Sequence, residues 1–437
     1  MEDEGYIPAG RDSRAESSHT SLISGDGVLL STILSAVRRS GTTSRSDLVR
    51  DTGLGKALVA QYAEILVQRN IVVDEGVGAS RGGRRPRMLR FAPERGLIGA
   101  VDLGASSVDV AITDLGSRVL ARRSENADVG EGPHAVLQNV VTILNDILSE
   151  NNFSPANLWG IGMGVPGPVE FGTGTPVSPP IMPGWDGFSV RRYLQGHFSC
   201  PVYVDNDVNV HALGEAAMGV SVGVSNSVFV KIGTGIGSGL IVQGKLYRGS
   251  QGCAGDIGHI QVDSPDAGHV TCRCGNVNCL EALAGGEALG RDAEEAARSG
   301  KSARLAERLA QQGFLSAEDV GEMAEKGDAW STEKIRQSGR IIGYTLAGLV
   351  NFLNPSLIVI GGGVANLGDS FLAAIREMVY RRSLPLATRL LRIERSSLGS
   401  QAGVIGASHV VLDELFSAER VIDVLNVHYT AVPAVGG

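Results

Sequence analysis

Residues 253–281 read CAGDIGHIQVDSPDAGHVTCRCGNVNCLE, and no other stretch of the chain carries as much chemistry. Cys272, Cys274 and Cys279 fall within eight residues, with His259 and His269 upstream. Thiolates and an imidazole packed this densely suit one tetrahedral zinc with no vacant position, a structural rather than a catalytic ion. Gly275 and Asn276 put the run in a turn, and a turn does not bury thiols for packing alone. By spacing alone His269, three residues before Cys272, is the nearer fourth ligand, while His259 needs a longer loop to close back.

A second run, VDNDVNVHALGE at 204–215, leads out of a valine-rich strand into Asp205-Asn206-Asp207. An asparagine beside an aspartate at a strand end can grip a sugar hydroxyl and remove its proton. The same residues also make an ordinary helix cap. Two glycine runs follow strands: Asp102-Leu103-Gly104-Ala105-Ser106-Ser107 and Gly233-Thr234-Gly235-Ile236-Gly237. Such turns let backbone N–H groups close on phosphate oxygens, although a glycine-rich hairpin alone is a weak sign. Trp185, flanked by Gly184 and Gly187, suits either stacking on a sugar ring or plugging the core.

At 437 residues the chain is long enough for two or three domains, and 43% hydrophobic residues supply real cores. The net charge of −8 argues against a generic polyanion binder. That charge is unevenly spread: residues 38–90 hold eleven Arg/Lys against five acids, a net of +6, which leaves −14 for the remainder. One small module that meets an anion, attached to a large acidic body, fits this asymmetry. The start, MEDEGYIPAGRDSRAESS, lacks the apolar core of a signal peptide. No apolar run reaches the length of a membrane span. Five cysteines, with Cys200 and Cys253 read as free thiols, fit a reducing cytoplasm better than a disulfide scaffold.

Residues 1–24 lack periodicity and read as a disordered tail. Within 25–93, helical spacing over 27–39, 44–53 and 56–70 is followed by IVVDEG, the Gly/Arg-rich GASRGGRRPR, and MLRFAP. Three short helices and a two-stranded hairpin is the order of a winged helix-turn-helix. Arg45, Lys56, Arg81, Arg84, Arg85 and Arg87 lie in its turn and wing, where they can reach phosphates or enter a narrow minor groove. The third helix presents Lys56, Ala57, Ala60, Gln61 and Glu64 outward; Gln61 suits adenine. After Pro93, LIGAVDLG, VDVAITDLG and RVLARRSE predict an antiparallel meander, followed by a helix and the strand LWGIGMGVPG. SVFVKIGTGIGSG, LIVQGKLYRG, a helix over 331–353 and SLIVIGGGVA repeat the pattern. The repeat suggests two α/β lobes closing on a cleft.

Gly258-His259 followed by Cys272-Arg273-Cys274-Gly275-Asn276-Val277-Asn278-Cys279-Leu280-Glu281 resembles the hallmark of the ROK family of sugar kinases and transcriptional repressors. The resemblance extends over roughly residues 96–412. It implies a two-lobed sugar kinase/actin-like ATPase fold, here preceded by the winged helix-turn-helix, with 413–437 left as a C-terminal tail. It implies His259, Cys272, Cys274 and Cys279 as zinc ligands, Asn206, Asp207, Asp256, His259 and Glu281 as sugar contacts, and Asp207 as the base position. His259 then gives one ring nitrogen to zinc and the other to the sugar. Asp102, Gly104, Ser106, Gly233, Thr234 and Gly235 would face a nucleotide. Kinases of the family carry Asp-x-Gly-Gly-Thr followed by Lys or Asn, whereas this chain has Ala105, Ser106 and Ser107 at the last three of those positions, and they usually have glycine at Ser238, so ATP is not expected as a cofactor.

These readings converge on a sugar-responsive transcriptional regulator, a repressor of carbohydrate uptake or utilisation genes. The alternative is an ATP-dependent hexose kinase similar to glucokinases. The expected partners are a double-stranded DNA operator, a sugar or sugar phosphate, and further copies of the chain in a homodimer or homotetramer; the expected location is the cytoplasm.

Overall fold

The computed structural model describes residues 25–78, 85–263 and 269–429. These fall into two compact units, 25–91 with 415–429 and 92–414. No described helix is long and apolar enough to cross a membrane.

The first unit contains α1 (Asp26–Ser40), β1 (Thr42–Ser44), α2 (Arg45–Thr52), α3 (Lys56–Gln68), β2 (Val72–Val77) and β3 (Arg87–Phe91). Leu30, Ile33, Leu34 and Val37 recur at helical spacing on α1 and are buried, as are Val59, Tyr62, Ala63 and Leu66 on α3. Ser44 starts α2 by accepting a hydrogen bond from the Asp47 N–H at 3.2 Å. The three helices and the hairpin have the expected order. The short strand β1 was not anticipated; it pairs with β3 to make a three-stranded sheet. Three residues without alternation give too little pattern to show in a sequence.

The segment expected as a C-terminal tail instead contains a helix of this unit, labelled α15 below. Ser31 Oγ donates to the Phe416 carbonyl at 2.7 Å. Arg69 donates to the Leu425 carbonyl at 3.0 Å and to Asn426 Oδ1 at 2.7 Å. The Arg38 guanidinium lies 5.7 Å from the Phe91 ring centroid and 5.2 Å from that of Phe416.

The second unit begins with β4 (Leu97–Leu103), β5 (Ser107–Asp114), β6 (Val119–Asn126), α4 (Pro133–Glu150), β7 (Leu158–Val165), β8 (Val169–Glu170), β9 (Thr175–Pro176), α5 (Val190–Gln195), β10 (Val202–Asn206) and α6 (Asp207–Met218). It continues with β11 (Ser227–Ile232), β12 (Ile236–Val242), β13 (Lys245–Leu246), α7 (Leu280–Ala284), α8 (Gly286–Arg298), α9 (Ala303–Gln312), α10 (Ala317–Glu325) and α11 (Ala329–Leu353). Then come β14 (Leu357–Gly361), α12 (Asp369–Arg382), α13 (Pro385–Thr388), β15 (Arg392–Arg395) and α14 (Gln401–Leu415), before the chain returns to the first unit in α15 (Val421–Tyr429).

Two five-stranded sheets share one plan. The first has the order β10-β7-β4-β5-β6 and the second β13-β12-β11-β14-β15. In each, three strands form an antiparallel meander and two more add in parallel on its inner side. The sequence repeat is thus a structural duplication. SVFVKIGTGIGSG is not one strand: it holds β11, a turn at 233–235 and the start of β12. Strand β7 sits between two parallel neighbours and is buried along its whole length, which explains its unbroken apolar run. Separate apolar cores lie on the two sheets: Val101, Leu137, Ile161 and Trp185 belong to the first, and Val230, Leu280, Ile342 and Ile360 to the second. Trp185 is 0% exposed and its indole N–H donates to the Val129 carbonyl at 3.0 Å, so it plugs the core and does not stack on a sugar.

Candidate functional site

A cavity of about 850 Å³ opens between the two sheets. It is lined by Asn206, Asp207, Asp256, His259 and Glu281 and by both glycine turns.

Asn206 is the N-cap of α6, and Asp207 is the helix's first residue. The Asn206 Oδ1 accepts from the Val208 N–H at 2.9 Å, and its Nδ2 donates to the Gly167 carbonyl at 2.8 Å. The capping and the sugar-facing readings are therefore compatible: the amide keeps one N–H and one lone pair for a ligand. Asp205 points elsewhere; it is buried, accepts from Arg248 Nε at 2.7 Å and from Asn209 Nδ2 at 2.9 Å. The Arg248 guanidinium in turn lies 3.9 Å from the Phe171 ring centroid.

Asp207 has a partner that the motif reading missed. Lys231, on β11, reaches its Oδ2 at 2.6 Å. The signal was present as a single charge inside the apolar strand SVFVKI. His211 also escaped notice; its Nδ1 lies 2.7 Å from the Asp207 carbonyl oxygen and its Nε2 3.3 Å from Asp102 Oδ2. Asp102 is buried, and its Oδ1 has no hydrogen-bond partner.

The two glycine turns are held differently. In the first, the Gly104 N–H donates to the Ser107 carbonyl at 2.8 Å, and Ser106 and Ser107 are exposed. In the second, Glu281 Oε2 accepts from the Ile236 N–H at 3.1 Å. A side chain at Gly235 would collide with that carboxylate, its Cβ lying 1.9 Å from Oε2. Ser238 lines the same cavity, and its hydroxyl donates to the Gly255 carbonyl at 2.7 Å, bracing the start of the cysteine loop.

In that loop His259, Cys272, Cys274 and Cys279 bring their ligand atoms within 4.8 Å of one another. Cys272 Sγ lies 3.6 Å from His259 Nδ1, and Cys274 Sγ lies 3.7 Å from Cys279 Sγ. Tetrahedral bonds of about 2.3 Å to sulfur and about 2.0 Å to nitrogen give separations of roughly 3.6 and 3.8 Å. The donor set therefore fits a zinc-sized ion. A tight knuckle presents the thiols: the Cys272 N–H donates to the Asn276 carbonyl at 2.7 Å, and Gly275 turns the chain at φ +91°. Burial pushes the Cys279 thiol up to about 12 and raises that of Cys272, so both favour the proton unless a cation is present to bind the thiolate. His269 is exposed and stands outside the cluster, so proximity follows the family pattern and not the shorter spacing.

In the first unit, Lys56, Ala57, Ala60, Gln61 and Glu64 are all exposed on α3. Arg45 is paired with Glu64 at 3.3 Å and Arg87 with Asp74 at 2.8 Å, whereas Arg85 is exposed. Arg81 and Arg84 lie outside the described residues.

The duplicated sheets, the cleft and the three-cysteine knuckle define a sugar kinase-like α/β body carrying a small helical module. The chain belongs to the ROK family, whose model matches residues 98–414. The xylose repressor of Caldicellulosiruptor bescii is 30% identical over 393 residues, covering 88% of this chain and 95% of its own. The glucokinase of Halalkalibacterium halodurans is 33% identical over 320 residues, covering 73% of this chain and 96% of its own. Among solved structures, a ROK family transcriptional regulator homologous to the E. coli MLC protein superposes with a TM-score of 0.78 at 25% identity, covering 92% of this chain and all of that one.

Proposed function

We propose that this protein is a sugar-responsive, DNA-binding transcriptional repressor of genes for carbohydrate uptake or use. The observation that carries this reading is the extent of the matches. A xylose repressor aligns along 88% of the chain, while a glucokinase aligns along 73% and leaves the helical module unmatched in extent. The body acts as the sensor, with Asn206, Asp207, Asp256, His259 and Glu281 on the sugar. Zinc on His259, Cys272, Cys274 and Cys279 fixes the imidazole through Nδ1, leaving Nε2 for the ligand. Asp207 keeps the base position, but the methyl of Ala105 crowds the closest backbone approach to ATP and Ser107 supplies no charge there. The DNA-reading unit works through Arg45, Lys56, Arg81, Arg84, Arg85 and Arg87 on phosphates and Gln61 on a base edge. A single such unit needs a twofold partner to read a palindrome, so the acting species is a homodimer or homotetramer. The cytoplasm is where such a repressor meets DNA.

The second reading, an ATP-dependent sugar kinase, is favoured by the retained Asn206-Asp207 pair and by the glucokinase relative. A salt titration decides between them. The wild type should bind operator DNA with an affinity that falls steeply as salt rises. Replacing Arg84 and Arg85 with Ala should make the log–log slope shallower by about 1 per lost phosphate contact. Gln61→Ala should lower preference for the operator over scrambled duplex and leave the slope unchanged. An unchanged slope in the double variant, together with robust ATP turnover on a hexose, would move the assignment to the kinase.

A further inference from the structure

We propose that His211 and Asp102 hold one proton between them inside the body, as an imidazolium on a carboxylate, and that this pair is a latch positioning the start of α6. The latch does not depend on what the cavity binds.

Asp102, expected to face a nucleotide, does not line the cavity; it is buried and turned toward His211, which is buried too. The hydrogens on the imidazole follow from its partners. Nδ1 lies 2.7 Å from the Asp207 carbonyl oxygen, which can only accept, so Nδ1 carries a hydrogen. Nε2 lies 3.3 Å from Asp102 Oδ2. A neutral ring with its hydrogen on Nδ1 would turn a lone pair toward that carboxylate, so the contact needs one more proton.

The surroundings decide which partner carries it. Asp109 stands directly opposite Asp102 across the β4–β5 ladder, a like-charge pair that needs cations. Arg122, on β6, answers Asp109 at 2.6 Å, and Lys231, on β11, is committed to Asp207 at 2.6 Å. Asp102 is left to His211 and to the first turn of α14. That turn lies against the carboxylate: a Cβ at Gly403 would come within 1.9 Å of Asp102 Oδ2, so the partly positive start of the helix favours the ionised acid. The Phe229 ring stacks on the imidazole, with centroids 5.6 Å apart and planes at 22°, and presents its face to a charged ring. The extra proton therefore sits on Nε2. Asp102 Oδ1 has no hydrogen-bond partner among the described residues, so without that proton the buried carboxylate would have a donor on neither oxygen.

The pair acts on the cavity through one turn of helix. His211 fastens β4 to the carbonyl of Asp207, and Asn206 and Asp207 line the cavity where α6 begins. His211 itself does not line it, so it is a positioning residue.

The test uses the full-length, zinc-loaded protein with isotope-labelled histidine, at about pH 7.5, above the ordinary histidine value of about 6.5. Ring-nitrogen chemical shifts separate an imidazolium from either neutral tautomer, and the His211 signals are those missing from His211→Gln. Wild type should carry hydrogens on both ring nitrogens of His211; a neutral ring would overturn the proposal. Asp102→Asn offers an amide donor in place of the carboxylate, so its His211 should be neutral, with the hydrogen on Nδ1 and Nε2 accepting. Hydrogen exchange over residues 204–215, read by mass spectrometry and corrected for the intrinsic rate, then reports the latch. Asp102→Asn should exchange within about twofold of wild type, and Asp102→Ala about tenfold faster. Raising the pH until wild-type His211 turns neutral should speed exchange in wild type and not in Asp102→Asn, whose latch uses no extra proton. Equal protection in wild type and Asp102→Ala, or wild-type protection indifferent to the state of His211, would remove the latch. If Asp102→Ala does not fold, wild type against Asp102→Asn across pH decides alone.

Discussion

The sheet of β4–β7 and β10 and the sheet of β11–β15 carry the same strand order, yet their first turns are held by different partners. The turn at 104–107 closes through the Gly104 N–H on the Ser107 carbonyl, and the N–H groups of Ala127 and Val129 donate to the Ser106 and Ala105 carbonyls at 3.1 and 3.4 Å, with its serines exposed. The turn at 233–235 is gripped from outside: Glu281 takes the Ile236 N–H, and the N–H groups of Gly286 and Glu287 donate to the Gly233 and Thr234 carbonyls at 2.8 and 3.1 Å. Glu281 stands two residues after Cys279, so this grip hangs on the cysteine knuckle. Duplication supplies two equivalent turns; the second is gripped by a side-chain carboxylate as well as by backbone. A site built on this scaffold should therefore tolerate change at the first turn and fail at the second.

The largest effect should come from cutting the knuckle. Cys274→Ser should lose its zinc by elemental analysis and weaken sugar binding by roughly 10–100-fold, because His259 and Glu281 lose their mounting. Metal-free protein with undiminished sugar affinity would break the link between knuckle and turn. His259→Ala should lose the ion as well, while His269→Ala should retain it; the reverse pattern would restore the shorter spacing as the correct reading. Next comes Glu281→Gln, which keeps the shape but removes the charge from its hydrogen bond to Ile236. A loss of about 1.5 kcal/mol, or roughly tenfold in sugar Kd, is expected with zinc content unchanged. The smallest effect belongs to the first turn. Ser107→Ala should leave sugar affinity within about twofold, since its hydroxyl is exposed; a tenfold change there would erase the contrast between the turns.

Much of the duplication could be read from the sequence. The meander 97–126 announces itself through alternation, and its echo after 227 shows the duplication. The cluster of His259, Cys272, Cys274 and Cys279 was legible because metal-binding chemistry demands few residue types at close range, although spacing alone pointed to His269 and only the loop's path brings His259 in. Trp185 was ambiguous because flanking glycines say where the backbone bends and not which way an indole faces. The glycines at 233–235 were read as a turn, but the strand count still ran SVFVKIGTGIGSG together, since Ile232 and Ile236 continue the apolar pattern across it. Lys231 went unremarked because its meaning lies in Asp207, on another element. Helix α15 was missed for a similar reason: VIDVLNV is too short to assert itself, and it is tied to a residue more than three hundred and fifty positions earlier, Arg69, which donates to Leu425 and Asn426.

That last contact fixes an order of events during synthesis. A ribosome releases the chain from its beginning, so α1 emerges first and must wait for 415–429 before the pocket around Ser31, Arg38 and Arg69 is filled. Every residue of the 92–414 body is translated in the interval. The 92–414 body can thus be folded while the first unit is still open on one side. A chain interrupted just before Leu415 would leave the ribosome with a complete second unit and an unfinished first one.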